Sequence, residues 1–271
     1  MKHQTVKVIR CSRTSVCALL CVLLMALAAQ GELTPETRSA YQKYIAGIAA
    51  GIAARNSAQN PFLWIDSDPA RQQAARQGEI VTQKVRAVPL RDGMIQHWIG
   101  GVFIPNTTLA AVVRVDQDYA GYARIYGPDI SRVNVLTHDK NHFVVAYRIT
   151  KTKVLTAVLD TVQAIDYQPL GSGKMAIQSQ SQSVRQVDNP DKPTEKVLPE
   201  GEGSGFLWAM NSYWRLQERD GGVYMECEAI TLSRGVPNGL GLLVNPILQS
   251  FAEESLKKTL ESTRQAVLQS K

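Results

Sequence analysis

The polar residues that could do chemistry together lie in the last predicted hairpin, within residues 205–237. Pairing its two strands about their central turn places Arg215 opposite Glu226. Two positions further from the turn, Tyr213 lies opposite Glu228. Turned into the protein, these side chains would form a buried acid/base set; turned outward, they would form surface ion pairs worth about 0–1 kcal/mol each. We favour the outward arrangement, because the other face of the hairpin is far more apolar.

The other motifs that suggest chemistry are weak. The segment Gly171 to Lys174 resembles a phosphate loop, but it lacks the upstream glycine and the Ser/Thr after lysine, so a turn between strands is the better interpretation. His138 and His142 flank a predicted hairpin turn, which favours solvated turn residues over metal ligands. Neither a nucleophile elbow nor a zinc-protease helix motif occurs. The sequence therefore predicts no catalytic residue, no metal site and no cofactor.

The hairpin is the part of the chain whose structure is most clearly encoded. Asp220-Gly221 favours a tight turn with positive φ. Strict alternation puts large apolar residues on one face of the first strand, namely Phe206, Trp208, Met210, Trp214 and Leu216. Met225 and Cys227 of the second strand lie on the same face. Such a half-buried ribbon, followed by a long helix, predicts a sheet that packs on that helix.

The remaining elements complete an α+β pattern. Thr34 caps an amphipathic helix to Ala54, which we expect to pack on the outside of the main domain. Six further strands are predicted at residues 79–88, 96–104, 131–137, 143–150, 154–167 and 174–187, with a helix over 109–121. The terminal helical region, residues 240–268, is predicted to be interrupted at Pro246.

The first 30 residues are typical of a signal peptide. Lys2, Lys7, Arg10 and Arg13 precede an apolar run over residues 16–29, which is shorter than the roughly 20 residues of a membrane-spanning helix. Small residues around Ala28 suit a cleavage site. We therefore expect export to the periplasm or medium with no stable membrane span after cleavage; an uncleaved anchor is the alternative.

Removing this leader changes how charge and cysteine content are interpreted. The formal net charge of +6 falls to +2 for residues 29–271, so the sequence gives little support for a nucleic-acid partner. Three of the four cysteines also lie in the leader. Cys227 remains alone, and its place on the apolar face predicts a buried, unreactive thiol. The apolar content of 44% is ample for one large core.

Two segments resemble START-like domains of the helix-grip (SRPBCC) superfamily, which includes polyketide cyclase/dehydrase-type and lipid-transfer proteins. In residues 101–128 a strand ends at a proline-containing turn, a short helix follows, and Asp118-Tyr119 precedes an aromatic-proline stretch. Residues 205–237 resemble the last hairpin and the entry to the long helix. The resemblance covers about residues 79–270. The chain is especially similar to exported bacterial members of the superfamily that have an extra N-terminal helix. It divides the chain into a leader (1–30), a helical extension (31–78) and a START-like domain (79–271).

This resemblance implies a curved antiparallel sheet of about seven strands around the C-terminal helix, with a cavity between them. The residues expected to bind a ligand there are Trp208, Met210, Trp214, Met225, Tyr119, Tyr126 and Phe251. A core filled by the same side chains is the structural alternative. The leading functional hypothesis is an exported, non-enzymatic binder of a hydrophobic small molecule or lipid. One alternative is a cyclase- or hydrolase-like enzyme using Asp116, Tyr119, Arg215 and Glu226 in the cavity; another is an envelope interaction protein without a ligand.

Overall fold

A computed structural model describes residues 31–57, 61–152, 156–235 and 241–270. The predicted signal peptide and three of the cysteines lie outside the described residues. The helices are α1 (Pro35–Ala54), α2 (Pro69–Arg76), α3 (Leu109–Asp116), α4 (Tyr122–Ile125) and α5 (Gly241–Gln269). The strands are β1 (Gly31–Glu32), β2 (Val81–Pro89), β3 (Gly93–Pro105), β4 (Ile130–Asp139), β5 (His142–Thr152), β6 (Thr156–Gly171), β7 (Lys174–Asp188), β8 (Lys196–Val197), β9 (Glu202–Gly203), β10 (Ala209–Arg219) and β11 (Gly222–Arg234).

The long strands form one antiparallel sheet. Its order is β2-β3-β11-β10-β7-β6-β5-β4, and the short β8 pairs with β7. The remaining short strands, β1 and β9, pair with each other, so the start of the described chain is held to the 188–203 connection. This α+β arrangement, a long antiparallel sheet packed on a C-terminal helix with an added N-terminal helix, confirms the predicted fold class.

The β10–β11 hairpin has the predicted register. Arg215 lies opposite Glu226 and Tyr213 opposite Glu228. At the turn, φ is 56° for Asp220 and 78° for Gly221, the left-handed conformation that this dipeptide favours. The alternation of side chains therefore places two different sets of residues on the two faces of the sheet.

Both faces of the β3-β11-β10 part of the sheet are covered. On one, α5 packs against a core built from several strands, including Leu256 and Leu260 of the helix and Val102, Val145 and Ile177 of the sheet. On the other, Tyr41 of α1 packs with Ile95, Ile230 and Leu232. The prediction that α1 packs on the outside is correct. The prediction that this second face is open to solvent is wrong, because α1 buries it.

Helix boundaries follow local capping with two differences from expectation. The Thr34 side chain accepts a hydrogen bond from the Thr37 N–H, and Pro35 begins α1 as predicted. The helix predicted over 109–121 ends at Asp116, and a 3₁₀ turn and α4 follow. The predicted interruption at Pro246 is also wrong, since α5 runs continuously for 29 residues. Pro246 is the sixth residue of α5, and the helix continues through it.

Candidate functional site: an apolar cavity between sheet and helix

A cavity of about 310 Å³ lies between the sheet and α5. Apolar and aromatic side chains make up most of its wall, among them Trp98, Tyr122, Tyr126, Tyr147, Leu159, Ile165, Ile177, Phe206, Met210, Trp214, Phe251 and Leu256. Its volume is at the small end of the range for small-molecule sites, about 300–1,000 Å³. Close-packed interiors leave few spaces larger than a water molecule, so a space of this size is a candidate binding site.

The residues predicted to bind a ligand are divided between three places. Four of them, Met210, Trp214, Tyr126 and Phe251, line the cavity. Met225 and Tyr119 are buried in the same core cluster but lie outside the described lining. Trp208 packs on the opposite face with Leu33, Tyr41 and Ile95. Because Trp208 precedes the first residue of β10, the strand's alternation does not extend to it.

One part of the cavity wall carries a partly buried carboxyl. Tyr167 donates a hydrogen bond to Asp116 Oδ2 at 2.6 Å. The hydroxyl of Tyr119 lies 3.0 Å from that of Tyr167, and since Tyr167 uses its proton on Asp116, Tyr119 is the donor. Burial raises the pKa of Asp116 to about 6, although the bond from Tyr167 opposes this. Asp116 thus changes charge close to neutral pH inside the cavity.

A second polar pair joins the helix to the wall. Thr263 donates to the Thr259 carbonyl at 2.9 Å and therefore accepts the bond from Tyr126, whose hydroxyl is also at 2.9 Å. Burial raises the pKa of Tyr126 well above its usual range, so this tyrosine stays neutral. The pair fixes the orientation of one predicted ligand-binding side chain.

An ion triad borders the cavity between α5 and the β4–β5 edge. The Asp129 carboxylate accepts hydrogen bonds from Lys151 and Lys258, each at 2.6 Å. Burial opposes ionisation, but the two lysines hold the pKa of Asp129 below its usual range. This part of the wall therefore carries two cations and one carboxylate, with both cations in contact with the carboxylate.

Cys227 lies in the cavity wall and is buried. Burial raises the pKa of its thiol well above the usual value, and the carboxylates of Glu228, Glu226 and Asp116 add to the effect. Since the thiolate is the nucleophile, this environment suits an unreactive wall residue.

The best polar constellation in the sequence lies on the other face, beneath α1. Arg215 and Glu226 are fully buried there, and Glu228 is nearly so. Arg55, at the end of α1, forms ion pairs with both glutamates, and its Nη1 lies 3.1 Å from Glu228 Oε2. His97 lies between Glu228 and α1: its Nε2 is 2.8 Å from Glu228 Oε1, and its Nδ1 is 2.8 Å from the Tyr44 hydroxyl. Arg215 and Glu226 therefore do not act in the cavity, which corrects the enzyme hypothesis that used them.

Electrostatics in this cluster follow from burial and pairing. Burial, followed by repulsion from Arg55, lowers the pKa of Arg215 to about 10. Burial raises the pKa of Glu226 despite its two arginine neighbours. Burial opposes ionisation of Glu228 too, yet His97, Arg55 and Arg215 together lower its pKa. Sequence reasoning did not place Arg55 and His97 in this site. The available signal was a charged face of the hairpin together with an amphipathic helix whose packing surface had not been identified.

Two classes of site are absent from the described part of the chain. No group of three His, Cys, Asp or Glu side chains there could hold a metal ion. Within the same residues, no helix combines the length and apolarity needed to cross a bilayer.

Comparison with solved structures finds START-like proteins and aromatase/cyclases. A STAR-related lipid transfer protein from Xanthomonas axonopodis matches 67% of this chain and 98% of its own, with 14% identity and a TM-score of 0.42. The aromatase/cyclase Zhui from Streptomyces sp. R1128 matches over 64% and 93%, with 16% identity and a TM-score of 0.42. Human STARD10 matches over 75% and 79%, with 13% identity and a TM-score of 0.41. No protein-family model and no curated protein sequence matches this chain.

Proposed function

We propose that this protein binds one hydrophobic small molecule, or a single lipid chain, in the cavity between sheet and α5. The observation that carries the proposal is the 310 Å³ space with a mainly apolar and aromatic wall. Sites of this kind bury most of a ligand's surface and use a few polar groups to fix its orientation. Tyr126 and Asp116, held by hydrogen bonds to Thr263 and Tyr167, are such groups.

The volume restricts the ligand. A cavity at the small end of the usual range suits a compact ring system or one acyl chain better than a complete two-chain lipid. The arginine and glutamate of the predicted acid/base set lie beneath α1, so they do not support an enzymatic role for the cavity.

Native mass spectrometry of the gently purified protein, with organic extraction of what accompanies it, tests the proposal. A retained hydrophobic mass of about one molecule per chain would support it. A protein that carries nothing and takes up no fluorescent lipid from a panel would favour the interaction-protein alternative and contradict ligand binding.

Export is part of the proposal and rests on the leader features alone. A basic stretch, a short apolar run and small residues near Ala28 are typical of a cleaved signal peptide. Intact mass and N-terminal sequencing of the protein from its native host test this. A mature N-terminus close to residue 29 supports export, and one at Met1 contradicts cleavage.

An enzyme of the cyclase or hydrolase type is the second candidate, favoured by one observation. Asp116 combines a cavity position with a pKa of about 6, a value suited to general acid/base work near neutral pH. Recovery of a chemically altered compound after incubation of a cavity ligand with wild type, but not with Asp116→Asn, would support this candidate. Unchanged ligand in both samples would contradict it.

A further inference from the structure

Three buried side chains in the cavity wall have hydrogen-bonding groups that the protein does not satisfy. Gln96, Gln163 and Trp98 line the cavity and are only 4%, 2% and 8% exposed. Among the described residues, neither amide atom of Gln96 has a partner, nor does Gln163 Nε2 or Trp98 Nε1. Most buried polar groups in proteins are hydrogen-bonded, so three such side chains around one cavity require an explanation.

Strand register places these groups in a continuous band across the sheet. Gln96 pairs with Thr231, Thr231 with Met210, and Gln163 with Ser181. The Met210 N–H donates to Ser181 Oγ at 2.9 Å, which joins the two halves of the row. The next row consists of Trp98, Ala229, Ser212, Ser179 and Ile165. We call these two rows the polar band.

Neighbouring side chains in the polar band are already engaged. Ser212 Oγ accepts from Trp214 Nε1 at 3.2 Å. Ser179 donates to Gln163 Oε1 at 3.3 Å, which leaves the Gln163 NH₂ group directed elsewhere. The unsatisfied groups are consequently mostly N–H donors: two amide NH₂ groups and one indole N–H, against a single amide oxygen.

The formal charges in the described lining of the cavity are balanced, with two lysines against two carboxylates. Its described lining has four charged side chains. Asp129 binds both Lys151 and Lys258, and Asp116 accepts from Tyr167. Both lysines already bind Asp129, so an anionic ligand would have to compete with that carboxylate, and burying an unpaired charge is costly.

From these contacts we infer that the polar band selects a neutral, acceptor-bearing ligand, in which carbonyl or ether oxygens on an apolar skeleton receive hydrogen bonds from Gln96, Gln163 and Trp98. The inference rests on the proposed function and adds the ligand's chemical class. A site built to hydrogen-bond a ligand discriminates against analogues that lack the group, because its own buried polar atoms are then left unpaired. Plain hydrocarbons and carboxylates are therefore poor ligands.

Three naphthalene derivatives of similar size test the inference with the full chain. Isothermal titration calorimetry compares 2-acetylnaphthalene, which has a carbonyl, with 2-ethylnaphthalene, which lacks it, and with 2-naphthoate, which is anionic. One satisfied buried acceptor corresponds to about tenfold in affinity. We expect the ketone to bind at least about tenfold more tightly than the hydrocarbon or the anion.

Leucine substitutions assign the effect to the band. Gln96→Leu removes an amide with no partner among the described residues, and Gln163→Leu removes an unpaired NH₂ group together with one 3.3 Å bond from Ser179. An apolar side chain of similar shape replaces each, so we expect little cost in folding. We expect each to reduce the ketone's advantage over the hydrocarbon severalfold, while the hydrocarbon's own affinity stays level or rises. Gln180→Leu, at an exposed position of β7, is the matched control and is expected to change neither.

The outcomes separate the inference from the proposed function. Equal affinity for ketone and hydrocarbon, unchanged by both substitutions, overturns the inference and leaves apolar ligand binding intact. Tight binding of the naphthoate overturns the requirement for a neutral ligand. Binding of none of the three compounds contradicts the inference and the proposed function together.

Discussion

Replacing Arg55 with methionine removes the side chain that joins α1 to the charged face of the sheet. Arg55 contacts both Glu226 and Glu228, and it lies where the N-terminal helix ends. The cluster is electrically balanced in wild type, with two arginines against two glutamates. The substitution leaves two carboxylates and Arg215, whose Nη1 is 3.7 Å from Glu228 Oε2. Among the described residues, Glu226 then keeps the hydrogen bond from the Ile65 N–H, at 3.3 Å, and the nearby charge of Arg215.

The expected loss of unfolding free energy at pH 7 is about 3 kcal/mol. Breaking a buried ion pair on one side costs roughly 3–5 kcal/mol. The lower end applies because Arg55 is 21% exposed, so water can reach the site, and because Arg215 remains nearby. The double variant Arg55→Met/Glu226→Gln restores the charge balance, and we expect it to recover most of the loss, leaving about 1 kcal/mol.

The loss is also expected to be smaller at pH 5 than at pH 7. Burial raises the folded-state pKa of Glu226 above its unfolded value, so the native state holds a proton that the unfolded state has released. Stability linked to this group is therefore present at low pH and is lost as pH rises through the window between the two values. Removing Arg55 widens that window, because the remaining stabilisation of the carboxylate is weaker.

Urea denaturation at both pH values measures these differences. Arg38→Met is the matched control on the same helix: Arg38 pairs with Glu200 on the surface, so its loss is expected to cost about 1 kcal/mol or less. A loss below about 1 kcal/mol for Arg55→Met, with no recovery in the double variant, would refute the conclusion that buried ion pairs of Arg55 hold α1 on the sheet.

The other predictions concern the core and the cavity wall. A carboxyl whose pKa is raised in the folded state makes the protein less stable as pH rises through about 4 to 6. Asp116→Asn is expected to abolish that fall in stability. Melting temperatures that vary with pH in the same way for wild type and variant would contradict this. Gly101→Ala puts a Cβ 2.5 Å from Ile65 Cδ1 and is expected to cost about 1–3 kcal/mol in urea titrations. Gly47→Ala meets nothing within 4 Å and is expected to stabilise by about 0.5–1 kcal/mol; equal effects of the two glycine changes would refute the packing argument. Iodoacetamide at pH 8 is expected to leave Cys227 unmodified in the folded protein and to label it in urea; rapid labelling of the native thiol would show that it is accessible.

The hairpin could be predicted in detail because its information is local. A turn dipeptide fixes the register, and period-two alternation then assigns each side chain to a face. All the pairs deduced for Arg215, Tyr213 and their partners occur. The same reasoning failed for Trp208, which lies one residue before the strand and so outside its alternation.

The fate of the charged face could not be deduced from the hairpin alone. Its cover, α1, is more than 150 residues away in sequence, and the two are joined by contacts such as Tyr41 to Asn211 at 2.9 Å. The alternation of residues along a strand does not show whether its charged face is exposed to solvent or covered by another element. The presence of a cavity was equally undetermined, since it depends on the spacing between α5 and the sheet. Gln96 and Gln163 occupy core-facing positions of their strands. Polar residues at such positions are unusual, and the strand alternation in the sequence is enough to identify them.

The measurement that tests cavity binding most directly is the titration of N-phenyl-1-naphthylamine, a neutral fluorescent apolar probe, into three proteins. Ala229 lines the cavity, and Ala229→Leu fills part of it; Ala46→Leu places the same bulk on the exposed side of α1. We expect saturable uptake of about one probe per wild-type chain, affinity at least about tenfold weaker for Ala229→Leu, and no change for Ala46→Leu. Absence of uptake by wild type, or equal affinity in all three proteins, would contradict a ligand-binding cavity.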